Sequence, residues 1–131
     1  MGLKFRLLNK PSKEKLEGED AYMSVEDKDK IDSMGINKET GVVTLAIADH
    51  LDWDNEYDHL VMLQEKINTY LSFLESGEVY ESYPQAKGKK FDIKIYAKYE
   101  LSERAEEFLN FAYGKVVEAG FNLSCEIMGD K

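Results

Sequence analysis

The chain reads as an α+β protein: a four-stranded mixed sheet covered on one face by two helices, in the order β-β-α-β-α-β. Three observations predict it. Period-2 alternation in residues 91–99 marks a strand with one covered and one wet face. A long stripe of apolar residues at spacings of three and four begins near Trp53 and marks a helix. Finally, the order of elements places each helix between two strands, which makes right-handed β-α-β crossovers on a two-layer architecture.

Each element has its own warrant. Residues 31–36 and 41–48 read as two strands joined by Asn37-Lys38-Glu39-Thr40-Gly41, with turn formers at both ends. In the second strand Val43, Leu45 and Ile47 share a face. Asp52 or Asp54 is expected to cap a helix over residues 53–76, and Glu56 suits the positive end of its dipole. Tyr57, Leu60, Leu63, Ile67, Tyr70, Leu71 and Leu74 form its stripe, and Gly77 is a natural stop. Val61, Met62 and Phe73 fall off the stripe's centre, so burial on more than one side is expected. Residues 78–90 read as a polar connection. Phe91, Ile93, Ile95, Ala97 and Tyr99 point inward from the third strand. Ser102 caps a second helix with Ala105, Phe108, Leu109, Ala112 and Val116 inward, ending at Gly120. Phe121, Leu123, Cys125 and Ile127 alternate along a last strand.

The 131 residues suit one domain, placed at residues 29–131. Residues 1–28 read as an N-terminal extension, with a short strand at Leu3, Phe5 and Leu7 and a brief helix opening at Pro11 and Ser12. Cys125 is the only cysteine, which excludes an intramolecular disulfide and favours a reducing compartment. No stretch approaches the roughly 20 apolar residues of a membrane span, and the N-terminus lacks the apolar core of a signal peptide. A cytoplasmic protein is expected.

Charge is the most informative functional feature. The net charge of −9 argues against a nucleic-acid partner, because phosphate binding rests on Lys and Arg. Between Asp49 and Glu81 lie nine acids and one base, Lys66, so this segment carries −8 of the −9. A basic protein partner is the corresponding expectation. The residues expected to meet it are Asp49, Asp52, Trp53, Asp54, Glu56 and Asp58. Tyr80 and Tyr83 join them from the far end of the helix, about 36 Å away for 24 residues. A Trp among acids is either a core anchor or an exposed contact of the kind that dominates interfaces.

Catalytic constellations are sparse. His50 and His59 are the only histidines. With Asp52 they form the alternative reading, a small-ligand or metal-dependent site. The segment has neither the calcium-loop spacing nor H-E-x-x-H, and acids along a helix start diverge. No metal, cofactor or catalytic residue is therefore assigned. Phosphate-cradling glycine motifs are absent, and Lys87-Gly88-Lys89-Lys90 is a short solvated turn. A third reading is a homodimer or structural assembly, formed if an edge strand such as residues 121–127 pairs across a two-fold axis.

Several separated blocks carry a resemblance. They are Met-Ser-Val-Glu-Asp-Lys-Asp-Lys-Ile-Asp-Ser-Met-Gly from Met23, Asp-His-Leu-Asp-Trp from Asp49, Leu-Gln-Glu-Lys-Ile-Asn-Thr-Tyr-Leu from Leu63 and Glu-Ser-Gly-Glu-Val-Tyr from Glu75. In this order they resemble a family of small bacterial proteins classed as a domain of unknown function, over about residues 23–127. The resemblance implies a bacterial cytosolic protein and supplies no catalytic residue. The expected function is a non-enzymatic protein-binding domain, of the immunity or inhibitor type, whose acidic surface meets a basic partner such as a toxin nuclease.

Overall fold

The computed structural model describes residues 31–129. The strand and helix expected within residues 1–28 lie outside the described residues. The elements are β1 (Ser33–Ile36), β2 (Val43–Asp49), α1 (Glu56–Glu75), α2 (Glu78–Ser82), β3 (Phe91–Ala97), α3 (Glu103–Glu118) and β4 (Asn122–Ile127), with a 3-10 turn at Pro84–Ala86. The sheet order is β1-β2-β3-β4. β1 runs antiparallel to β2, while β2-β3 and β3-β4 are parallel. This is the mixed four-stranded sheet and the β-β-α-β-α-β order that the alternation patterns predict.

The sheet is asymmetric because its sequence alternates. Val43, Leu45 and Ile47 of β2 and Phe91, Ile93 and Ile95 of β3 are buried, and the register places them side by side. Leu60, Leu63, Ile67, Tyr70, Leu71 and Leu74 of α1 meet them in the same core as Ala105, Phe108, Ala112 and Val116 of α3. In α3, Ser102 Oγ accepts the Ala105 N–H at 3.1 Å, so the helix begins at the cap its sequence announces.

Three local features differ from the sequence expectation. α1 starts at Glu56, not at Trp53, and its N-cap residue is Asn55, whose side chain makes no capping bond. Asp52 instead closes a turn, its Oδ1 accepting the Asp54 N–H at 3.1 Å, and this local bond competes with helix entry. Gly77 does end α1 in the left-handed conformation, at φ 86°. The segment after Gly77 is not a plain polar connection: α2 and the 3-10 turn bury Val79 and Ala86. Each is too short to display a helical period, which is why pattern reading passes over them. Finally, β3 stops at Ala97, and the Lys98 N–H donates to the Asp49 carbonyl at 2.9 Å.

Burial on α1 extends beyond one stripe, as the off-centre apolar residues imply. His59, Gln64 and Lys66 are buried beside the aliphatic positions. Lys66 is fully enclosed, and its Nζ donates to Asp32 Oδ1 at 2.8 Å. The other Asp32 oxygen accepts the Ala48 N–H at 3.0 Å. Tyr70 completes the group: its hydroxyl donates to the Ala46 carbonyl and accepts the Asp32 N–H. Asp32, Lys66 and Tyr70 together satisfy polar backbone just beyond the last β1–β2 pair, Ser33 and Ala46.

Candidate functional site

The chain between β2 and α1 starts from a buried carboxylate. Inward alternation along β2 carries Asp49 to the core side at the strand's end, where it is 2% exposed. A lone buried carboxylate is costly, so it needs a partner. His59, on the first turn of α1, supplies one: Nε2 lies 2.8 and 2.7 Å from the two Asp49 oxygens. Nδ1 of the same ring lies 2.9 Å from the Asp52 carbonyl. A carbonyl oxygen only accepts, so Nδ1 donates to it. Both ring nitrogens are engaged by protein oxygens, so neither is directed at an open position.

Trp53 closes this cluster from the loop. Its ring stacks on the His59 imidazole with centroids 3.6 Å apart and planes 15° from parallel. Trp53 is half-buried and packs against the main core, while its Nε1 is buried without a hydrogen-bond partner. Of the two readings of this Trp, the core anchor is therefore the one observed. The loop is held at four points: the Asp49 carboxylate, the Asp52 carbonyl, the Trp53 ring, and the Leu51 N–H, which donates to Asp49 Oδ1 at 3.2 Å.

Pinning the loop sorts its acids. Asp49 faces inward and leaves the set of exposed carboxylates. Asp52, Asp54 and Asp58 are exposed, and Glu56 is half-exposed. Two of the exposed groups are held by neighbours: Asp52 by the Asp54 N–H, and Asp58 by Asn55 Nδ2 at 2.9 Å. The one base of the acidic segment, Lys66, is inside the protein on Asp32. Beyond α1, Glu78 and Glu81 are exposed, while Tyr80 and Tyr83 are half-buried against the core. Tyr80 meets Phe91 edge-on at 6.2 Å. The two tyrosines sit at the opposite end of a 20-residue helix, about 30 Å from Trp53.

His50 is exposed on the loop, whereas His59 is buried with both nitrogens engaged. Among the described residues no group of three or more His, Cys, Asp or Glu side chains is placed to hold a metal ion. No described helix is long and apolar enough to cross a membrane. Cys125 is half-buried in β4, and its thiol is pushed up from the ordinary thiol range, first by burial and then by the negative charge of Asp49. That shift makes it a poorer nucleophile at neutral pH.

The Asp49–His59 pair and the buried Lys66–Asp32 bridge are the features that pattern reading misses. Neither pair follows from sequence spacing: the first joins the end of β2 to α1, and the second joins the residue before β1 to α1. A signal does exist for His59, which stands one position before Leu60 on the flank of the apolar stripe. Lys66 gives the same hint beside Ile67.

No curated protein and no solved structure matches the chain. A family model does match, over residues 23–129, and the chain belongs to that family, a family of unknown function (DUF6572).

Proposed function

We propose that this chain is a non-enzymatic binding domain whose acidic α1 entrance holds a basic protein partner. The observation that carries the reading is the sorting of charge in the segment from Asp49 to Glu81. Its one base, Lys66, and one of its acids, Asp49, are buried, so every fully exposed charge left in the segment is acidic. Asp52 and Asp54 stand on a loop fixed by His59 and Trp53, and Asp58 stands on the first turn of α1 that follows it. A fixed array loses little freedom on binding, and a one-sign surface speeds encounter with a basic partner. An inhibitor or immunity-type role, with a toxin nuclease as the basic partner, is the finer form of this reading.

The test is a pull-down from the native host with the wild type and the triple reversal Asp52→Lys, Asp54→Lys, Asp58→Lys, at low and high salt. Capture of a basic protein by the wild type, lost in high salt and in the reversal, is the expected result. Capture that survives both changes, or no capture at all, refutes the acidic-entrance reading.

A further inference from the structure

Residues 1–30 join the described fold at a fixed point. Asp32, one residue before β1, accepts the Ala48 N–H and the Lys66 Nζ through its carboxylate, and its own N–H donates to the Tyr70 hydroxyl. The preceding chain therefore departs from the start of β1.

β1 is an end strand, and among the described residues no strand lies on its outer side. Its sequence, Ser33-Met34-Gly35-Ile36, holds neither a charge nor a proline to guard that edge. One face of the edge is apolar and incompletely covered. Met34 and Ile36 pack on the core but are only partly buried, whereas Leu45 and Val43, their partners on β2, are fully buried. Above them Met62, Lys66, Thr69 and Phe73 follow one another by four, three and four along one flank of α1. Lys66 reaches Asp32, which sets this flank over β1, and Met62 and Phe73 on it are again only partly buried. Ser33 and Gly35 take the other face and are exposed, and a Cβ placed on Gly35 meets no atom within 4 Å.

We propose that the chain's own Leu3-Lys4-Phe5-Arg6-Leu7-Leu8 adds as a fifth strand along the outer edge of β1. The segment fits the edge in pattern, tether and charge. Leu3, Phe5 and Leu7 fall on one side of a strand, where Met34, Ile36, Met62 and Phe73 offer apolar cover, while Lys4 and Arg6 fall on the wet side with Ser33 and Gly35. Residues 9–30, 22 in all, separate Leu8 from Ile31, and a flexible chain of that length spans about 25 Å. The place beside β1 is only about 5 Å from β1 itself. A tether of this kind supplies an effective concentration near the millimolar range, which lets a short strand pair where a free peptide would not. β4, the other end strand, lies across the whole sheet, about 14 Å further from the point of departure. Residues 1–15 hold five bases and one acid, so in a chain of net charge −9 they carry +4 against −13 on the rest. That difference draws the segment onto the domain.

The test uses the full chain. Residue-resolved amide hydrogen exchange is measured on the wild type and on Leu3→Ser/Phe5→Ser/Leu7→Ser, which removes the apolar side, keeps every charge and alters no described residue. Isotope-filtered nuclear Overhauser spectra on mixed labelled and unlabelled chains then show which side chains the Phe5 ring meets, and whether they belong to the same chain. Contacts from Phe5 to Met34, Ile36, Met62 or Phe73 within one chain are the expected result. In the triple variant the outward β1 amides should exchange at least tenfold faster, with the Ile93 and Ile95 amides unchanged. Unchanged β1 exchange in the triple variant overturns the proposal. So do Phe5 contacts that are absent or centred on β4, and contacts found only between chains, which would make the occupant a second copy. The result is independent of the acidic-entrance reading, because the variant leaves Asp52, Asp54 and Asp58 in place.

Discussion

His59 and Asp49 are each 2% exposed, and their side chains are hydrogen-bonded to each other. Removing one strands the other in the core, and breaking such a pair costs about 3–5 kcal/mol. His59→Ala and Asp49→Asn should therefore each lower the urea midpoint sharply. Their double mutant should lose much less than the sum, because the second change strands nothing further. Additive losses would mean that the two side chains act separately. Trp53 makes a finer test. Its buried Nε1 has no partner, so the ring's value lies in stacking on His59 and packing on the core. Trp53→Phe keeps a ring and removes the unsatisfied donor, which itself costs about 1–3 kcal/mol. It should leave thermal stability within about 1 kcal/mol of the wild type, whereas Trp53→Ala loses about 3 kcal/mol or more. Equal losses in the two variants would place the importance in the indole N–H.

Among the elements, β1 depends on help from α1, because among the described residues its four residues pair only with β2. Tyr70, Lys66 and Asp32 extend that help past the last strand pair. The Tyr70 hydroxyl is pushed well above the usual phenol range, first by burial, with Asp32's charge adding to it against the lowering effect of the Asp32 backbone N–H. The sign comes from linkage: the folded protein holds this proton more tightly than the unfolded chain. Its contribution is intact below pH about 10, where unfolded tyrosine titrates, and fades as pH rises above that. Tyr70→Phe should cost about 1–3 kcal/mol at neutral pH by leaving the Ala46 carbonyl and Asp32 N–H unmatched. The same variant should also lose part of the wild type's fall in stability between pH about 10 and 12. Parallel denaturation curves across that range would contradict the assignment.

At the scale of the whole molecule, the fold was legible because its alternations are clean. Residues 91–99 read as a strand, of which Phe91–Ala97 form β3, and the Ser102 and Gly120 boundaries of α3 fall within a residue or two of its ends. The entrance to α1 was harder to read. Asp52, Asp54 and Asn55 are all good caps by type, and which one begins the helix depends on a turn that Asp52 makes locally. The acidic face was visible as composition, but its sorting was not. That Asp49 and Lys66 turn inward reflects their long-range partners His59 and Asp32, which no spacing rule pairs. Burial leaves Asp52, Asp54 and Asp58 as a fixed one-sign array, and electrostatic steering acts mainly on association rate. The deciding measurement is the association rate of the recovered basic partner at low ionic strength, wild type against the Asp52, Asp54 and Asp58 reversal. At least a tenfold slower rate with a flattened salt dependence is the predicted result. An unchanged rate and salt dependence would contradict it and leave the acids a solvated surface.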